Sequence, residues 1–206
     1  MALNVLGIST SPRREGNSDL LLRRALAGAQ QAGAAVEYLS LCDFKIAACR
    51  ACYHCAATGE CSTKDDYQTV LGKMLAADRL IFATGVFFMT IPAQAKILID
   101  RGQCLWVRQT RLHRPLFDPH RDRRGLLLAV GGSRSKKQFE CVRQPVLSFF
   151  QCLEVDCLGS LCINQVDEKG AILQRPDALD QAVRLGEMLA DTGPRESLIP
   201  VRIEMF

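Results

Sequence analysis

Apolar residues recur along this chain in two patterns: short unbroken runs, and longer stretches in which they return every three or four positions. The first run, Leu3 to Ile8, ends at a polar loop, and Asp19 to Gly33 then carries Leu22, Ala25, Leu26 and Ala29 at helical spacing. That order is strand, loop, helix. Ala35 to Leu39 reads as a second strand, and Asp65 or Asp66 as the N-cap of a helix through Met74 to Ala76. Arg79 to Thr84, Gly125 to Val130 and Leu153 to Ile163 have the apolar character of buried strands. Helices are predicted between them, at Ala93 to Gln103 and at Gln138 to Gln151. After a turn at Asp167 to Gly170, Pro176 opens a final helix with Ala182, Leu185 and Leu189 on one face. Beyond Gly193 the pattern assigns no element.

Five strands alternating with helices, nearly all of them apolar enough to be covered on both faces, predict an α/β fold with a parallel, doubly wound sheet. With 206 residues, 48% of them hydrophobic, the chain can bury one substantial core, so one domain spanning 1–206 is expected. A net charge of +4 over 22 acidic residues gives no reason to expect nucleic-acid or membrane binding. The longest uncharged run, between Arg79 and Lys96, is too short for a membrane helix and contains Gly85 and Pro92. Met1 to Gly7 has no basic leader and no small-residue cleavage site, so no signal peptide is expected and the cytoplasm is the expected compartment.

Cysteine usage changes the picture. Four of the ten cysteines, Cys49, Cys52, Cys55 and Cys61, fall within thirteen residues of a loop at about 42–63. In a reducing compartment such crowding favours metal or redox chemistry over disulfides. Successive Cys-x2-Cys spacings let one loop wrap several thiolates around a [4Fe–4S] cluster, with Cys61 closing the set. The same spacing permits a four-thiolate zinc site, or free thiols with no metal. His54, inside the run, reads as a solvent-facing side chain. Cys42, Cys104, Cys141, Cys152, Cys157 and Cys162 have no ligand spacing and read mostly as core packing. Asp65 and Asp66 read as capping residues, and no side chain is required as an acid or base.

The loop Ser9-Thr-Ser-Pro-Arg-Arg-Glu-Gly-Asn-Ser18 joins the first strand to the first helix, where backbone N–H groups and the helix dipole favour an anion. It has neither a Walker ending nor the Gly-x-Gly-x-x-Gly spacing, so a monophosphate ester such as FMN fits it better than a nucleoside triphosphate or a dinucleotide. The plainer alternative is that Asn17 or Ser18 caps the helix and the rest is a polar turn. Gly131 and Gly132, after the fourth strand, would let backbone approach a flavin ring or simply make a turn. Arg108, Arg111, Arg114, Arg121, Arg123 and Arg124, with His113 and His120, form a basic stretch at 108–124. It reads either as a docking site for an acidic carrier, an anionic substrate or the NADPH phosphate, or as a solvated loop offset by Asp118 and Asp122.

On these residues the sequence resembles the NADPH-dependent FMN reductase group of flavodoxin-like proteins and, within it, the iron–sulfur flavoproteins. The first segment, Ser9 to Ser18, is similar to the family's phosphate loop, which implies that Ser9, Ser11, Pro12, Arg13, Asn17 and Ser18 surround the FMN phosphate. The second, Cys49 to Cys61, looks like the compact cysteine motif, which implies a [4Fe–4S] cluster on Cys49, Cys52, Cys55 and Cys61. The third, Thr84 to Arg101, implies that Thr84, Gly85, Val86, Phe87, Phe88 and Met89 border the isoalloxazine ring. It departs from the family pattern with Gly85 for proline, Phe87 for tyrosine and Pro92 for serine. The resemblance implies strand order 2-1-3-4-5, a homodimer or homotetramer that brings cluster and flavin of different subunits together, and electrons from NAD(P)H or a ferredoxin-like carrier passed to an unidentified acceptor. Rival readings are an FMN-only NAD(P)H-dependent reductase of quinones or similar small oxidants, and a thiol or zinc sensor on the same scaffold.

Overall fold

A computed structural model describes residues 2–117, 121–193 and 201–205. Its strands are β1 (Asn4–Ser9), β2 (Ala35–Ser40), β3 (Arg79–Gly85), β4 (Arg124–Val130), β5 (Asp156–Ile163) and β6 (Val201–Met205). Its helices are α1 (Asn17–Gln31), α2 (Cys55–Thr58), α3 (Tyr67–Ala76), α4 (Ala93–Arg101), α5 (Gln103–Thr110), α6 (Lys137–Cys152) and α7 (Pro176–Leu189). Among the described residues the strands form one parallel sheet in the order β2-β1-β3-β4-β5-β6.

Side chains of one strand alternate between two cores, as a pleat covered on both faces requires. On β4, Leu127 and Ala129 pack with α3 to α6, whereas Leu126, Leu128 and Val130 pack with α1 and α7. Helices α1 and α7 lie close enough that a Cβ on Gly186 would stand 1.9 Å from the Ala25 carbonyl oxygen, and one on Gly28 would stand 2.1 Å from that of Val183. Only glycine fits either position.

The sheet has six strands, which corrects the five expected. β6 adds to β5 with Gly159 paired to Val201 and Ile163 to Met205. Its sequence, Val-Arg-Ile-Glu-Met, has the alternation of an edge strand, with Ile203 and Met205 packed toward the α1/α7 core. Its charges are met on the other face: Arg143 of α6, largely buried, pairs with Glu204 at 2.9 Å. The helix expected from Ala93 to Gln103 is also two, broken at Gly102, where a Cβ would meet the Ile99 carbonyl and the Phe149 ring at 2.8 Å each.

Part of the basic stretch is structural: Arg123 and Arg124 are buried, whereas Arg108, Arg111, Arg114 and Arg121 keep solvent exposure, so neither of the two readings of the stretch holds for all of it. Arg123 is fully buried and donates to the carbonyls of Met74, Ala77 and Leu153, tying together the ends of α3 and α6. Burial lowers its pKa to about 10. Arg124 and the buried Arg79 both pair with Asp122 at 2.8 Å. These three arginines sit at the amino end of the sheet, whereas Arg108 belongs to α5. Asp118 and His120 lie outside the described residues.

Candidate functional site

Ser9 pairs with both Ser40 and Ala83, and Gly85 pairs with Val130, which pairs with Ile163, so the strands finish along one carboxyl edge. Ligands of open parallel sheets bind outside that edge, where strand order reverses. Here the reversal falls between β1 and β3, and the loop from β1 to α1 stands over it.

This loop is built as an anion cradle. Arg13 N–H donates to Ser11 Oγ at 3.1 Å and Gly16 N–H to the Arg13 carbonyl at 3.1 Å, folding the segment back on itself. Glu15, in the left-handed region at φ 55°, is held by its N–H to the buried Asp19 carboxylate at 3.1 Å. Asp19 also accepts from the Tyr38 hydroxyl at 2.6 Å. The N-cap of α1 is Gly16, and no side chain caps the helix. The alternative that Asn17 or Ser18 serves as the cap is thereby set aside. The first N–H groups of α1 are left without a side-chain acceptor, which suits a phosphate.

A cavity of about 280 Å³ opens beside this loop. Of the residues expected around a flavin, Ser11, Arg13, Asn17 and Ser18 line it from the loop, Gly85 to Phe88 from the end of β3, and Gly132 from the end of β4. Ser9, Pro12, Thr84, Met89 and Gly131 are not part of its lining. Ser9 and Thr84 are buried strand residues, and the Thr84 hydroxyl donates to the Gly85 carbonyl at 2.9 Å. At Gly131 a Cβ would stand 2.4 Å from Gln138 Oε1, so this glycine serves the packing of α6. Asn17 uses its amide to donate to the Glu168 carbonyl at 2.8 Å and to accept from Ile172 N–H at 3.2 Å. It fastens the loop after β5 to the cradle. That loop brings Val166, Asp167 and Lys169 into the wall, none of them expected from the sequence.

One rim of the cavity is a tight hairpin. Phe87 and Thr90 exchange backbone hydrogen bonds at 2.8 and 3.0 Å, with Phe88 and Met89 between them at φ 46° and 67°. Two positive φ values in succession mark a type I′ turn, usually left to glycine and asparagine. Phe88 is fully exposed at its tip.

The cysteine segment forms a second cavity, of about 370 Å³, lined by Cys49, Cys52, Cys55 and Cys61. The four expected thiols therefore face one space. Cys104 of α5, discounted from the sequence, lines it too; it is buried and lies 3.6 Å from the Tyr67 hydroxyl. Of the other five discounted cysteines Cys162 is buried, Cys152 and Cys157 are half-buried, and Cys42 and Cys141 are exposed, so core packing explains fewer than expected. Among the described residues no three His, Cys, Asp or Glu side chains gather into a group that could hold a metal ion.

The segment is anchored by acids. Asp66 accepts from Lys45 N–H at 2.7 Å, and Asp65 accepts from Ala47 N–H at 2.9 Å, from Tyr67 N–H at 3.0 Å and from the buried Arg101 at 2.6 Å. Of the two expected caps, Asp66 is the N-cap residue of α3 but makes no side-chain cap bond; Asp65 accepts from the first N–H of the helix and also clamps the cysteine loop. Burial raises the Asp65 pKa, but the hydrogen bonds from Arg101, Ala47 N–H and Tyr67 N–H, with the Arg101 charge, together outweigh it and hold the carboxyl below its ordinary value. For Arg101, burial acts downward while Asp65 and then Cys61 act upward, and the net shift is upward. A hydrogen bond from the His54 backbone pulls the exposed Cys52 thiol down, whereas burial pushes Cys55 up. Ala51 and Tyr53, flanking Cys52, both sit at positive φ, 50° and 58°.

The sequence profile of the NADPH-dependent FMN reductase family matches residues 3–157. An iron-sulfur flavoprotein of Methanocaldococcus jannaschii is 38% identical over 148 residues, 72% of each chain. An iron-sulfur flavoprotein of Methanosarcina thermophila is 31% identical, over 68% of this chain and 70% of its own. The solved NAD(P)H:quinone oxidoreductase of Methanothermobacter marburgensis superposes with a TM-score of 0.70 over 95% of this chain and all of its own, at 18% identity, which speaks to the fold. Among the described residues no helix is long and apolar enough to cross a membrane. With the phosphate cradle and its cavity at the reversal of strand order, the chain belongs to the NADPH-dependent FMN reductase family and is an FMN-dependent oxidoreductase.

Proposed function

We propose that this protein is an iron–sulfur flavoprotein of the cytoplasm, one domain over 1–206, that relays electrons between FMN in the first cavity and a [4Fe–4S] cluster in the second. The observation that carries the reading is that Cys49, Cys52, Cys55 and Cys61 line a single cavity. A cluster takes each thiolate on a different iron, so its ligands need to surround a space and not one point. The names of the relatives support the same reading.

FMN exchanges a hydride or single electrons and a cluster passes electrons singly, so the pair can join NAD(P)H or a ferredoxin-like donor to a one-electron or two-electron acceptor. The protein's part is to bind and orient. Arg13, Ser11, Ser18 and the uncapped start of α1 hold the phosphate, while Gly85 to Phe88 and Gly132 border the ring. Ser9, Thr84 and Gly131 shape the backbone behind them, Pro12 belongs to the exposed part of the loop, and Met89 completes the hairpin at the rim.

Helix α4 separates the two cavities within one chain: the hairpin before it rims the flavin cavity, and its last residues, Asp100 and Arg101, line the cysteine cavity. Nine residues of helix span about 13 Å at 1.5 Å per residue. Exposed aromatics stand at both places, Phe88 at the first and Tyr53 and Trp106 near the second. A homodimer or homotetramer that covers them would shorten the path between cofactors of different subunits.

The test is an absorption spectrum of anaerobically purified protein, with iron and acid-labile sulfide assayed per FMN. Near-stoichiometric cluster and flavin are expected. Cys52→Ser should lose the iron and keep the FMN. Flavin without iron would refute the cluster and leave an FMN-only NAD(P)H-dependent reductase.

A further inference from the structure

Arg101 closes α4 with only 2% of its surface exposed. Two of its three side-chain nitrogens grip the cysteine segment. Nη1 donates to the Ala47 carbonyl at 2.9 Å and to the Asp65 carboxylate at 2.6 Å, and Nη2 to the Thr63 carbonyl at 3.2 Å. The face of the guanidinium lies 4.5 Å from the centroid of the Tyr67 ring. That leaves Nε, which is buried and has no hydrogen-bond partner among the described residues.

An orphaned buried donor costs about 1–3 kcal/mol, and more on a charged group. This one belongs to a side chain in the wall of the cysteine cavity. Cys61 lines the same cavity, two residues before the Thr63 carbonyl that Nη2 grips. Nη1 is committed to Ala47 and Asp65 and Nη2 grips Thr63, so Nε is the nitrogen left wholly without an acceptor and the one that an occupant of the cavity would satisfy.

We propose that Arg101 Nε donates a hydrogen bond to the Cys61 thiolate when the cavity holds its cluster, and that this bond raises the reduction potential of that cluster. The proposal rests on the iron–sulfur reading of the cavity. A donor to a ligand sulfur draws electron density from the cluster and favours its more negative, reduced form. Arginine suits the position because its charge is permanent and its planar fork can hold the loop with two nitrogens while presenting the third. A lysine presents a point charge and cannot do both. Arg101 touches neither flavin nor substrate; it is a positioning and tuning residue.

The experiment has two arms on full-length protein reconstituted anaerobically with iron and sulfide. In the first, wild type and Arg101→Lys are assayed for iron and sulfide per chain, then titrated for the cluster potential. Reduction of the variant is expected to be disfavoured about tenfold, which is 59 mV for a one-electron couple. In the second, wild type carrying ¹⁵N-arginine is reduced and examined by pulsed electron paramagnetic resonance, where a resolved ¹⁵N coupling to the cluster is expected. A loaded variant with the wild-type potential overturns the proposal and leaves the iron–sulfur reading standing. If Arg101→Lys fails to hold a cluster, the second arm decides, and absence of ¹⁵N coupling overturns the proposal. Wild type that takes up no iron or sulfide overturns both readings at once.

Discussion

Gly186→Ala sets helix propensity against packing, and the structure fixes which wins. Alanine is favoured over glycine inside a helix by about 1 kcal/mol, so propensity alone predicts that α7 gains stability. At this position the new methyl would stand 1.9 Å from the Ala25 carbonyl oxygen, 2.8 Å from its carbon and 3.0 Å from Ala29 N. These are backbone atoms of α1, so no side chain can swing away and the two helices must part. Overpacking of a core costs about 1–3 kcal/mol, occasionally more, and a rigid backbone neighbour puts this case at the upper end. Subtracting the propensity gain leaves a net loss of about 2 kcal/mol, which at this chain length lowers Tm by about 4–8 °C. Gly72→Ala is the matched control. It lies in the exposed part of α3 with nothing within 4 Å of its would-be Cβ, and should gain about 0.5–1 kcal/mol and raise Tm slightly. Thermal melts followed by far-ultraviolet circular dichroism compare the three proteins under one condition. Because α1 carries the phosphate cradle at its other end, Gly186→Ala should also weaken FMN binding. A Tm at or above wild type for Gly186→Ala would refute the close approach of α1 and α7, and with it the packing that seats the cradle.

Gly16→Ala puts a Cβ 2.9 Å from the Arg13 carbonyl and 3.1 Å from Ser11 Oγ, so FMN affinity measured by fluorescence quenching should fall about tenfold, about 1.4 kcal/mol, with little change in apoprotein Tm. Asp65→Asn should destabilise the fold most near neutral pH. The native carboxyl titrates below its unfolded value, so its contribution is complete above an unfolded pKa of about 3.9 and is lost as pH falls through the folded one. Urea melts of wild type and variant should therefore converge in acid; a difference that persists there would refute the Arg101 pairing as its source. Glu204→Gln should cost about 1–3 kcal/mol in the same assay, because it leaves the largely buried Arg143 with a weaker acceptor, and its effect should also fade in acid, since Glu204 titrates low.

Much of the fold was legible because strands buried on both faces write themselves as unbroken apolar runs, and Arg79–Gly85 and Arg124–Val130 are of that kind. β6 was not, because an edge strand shows alternation over only five residues and places Arg202 and Glu204 where a core strand would carry leucines. Two arginines of the basic stretch misled for a related reason. Arg123 and Arg124 are charged in the sequence but spend that charge on helix-end carbonyls and on Asp122, and only three-dimensional neighbours reveal such a role. In the flavin cavity the cradle and the β3 end were readable as contiguous motifs. Val166, Asp167 and Lys169 were not, since their loop is brought to the site by contacts distant in sequence, with Arg13 and Asn17 some 150 residues earlier and with Gly131.

The same contrast bears on the cysteines. Spacing singled out Cys49, Cys52, Cys55 and Cys61, and these do face one cavity; spacing also dismissed Cys104, which faces it from α5. A loop motif reports only the ligands it contains, whereas a cavity has walls from every element that closes it. Here those walls supply Arg101 and Cys104 from α4 and α5, both more deeply buried than the four motif thiols. The exposed part of the site is therefore the motif, and the buried part is the pair of helices behind it. The properties set by buried donors, the potential above all, should respond to changes on α4 and α5, while metal uptake should respond to changes in the loop. Cys52→Ser and Arg101→Lys separate the two: the first should remove the iron, the second should keep it and move its potential.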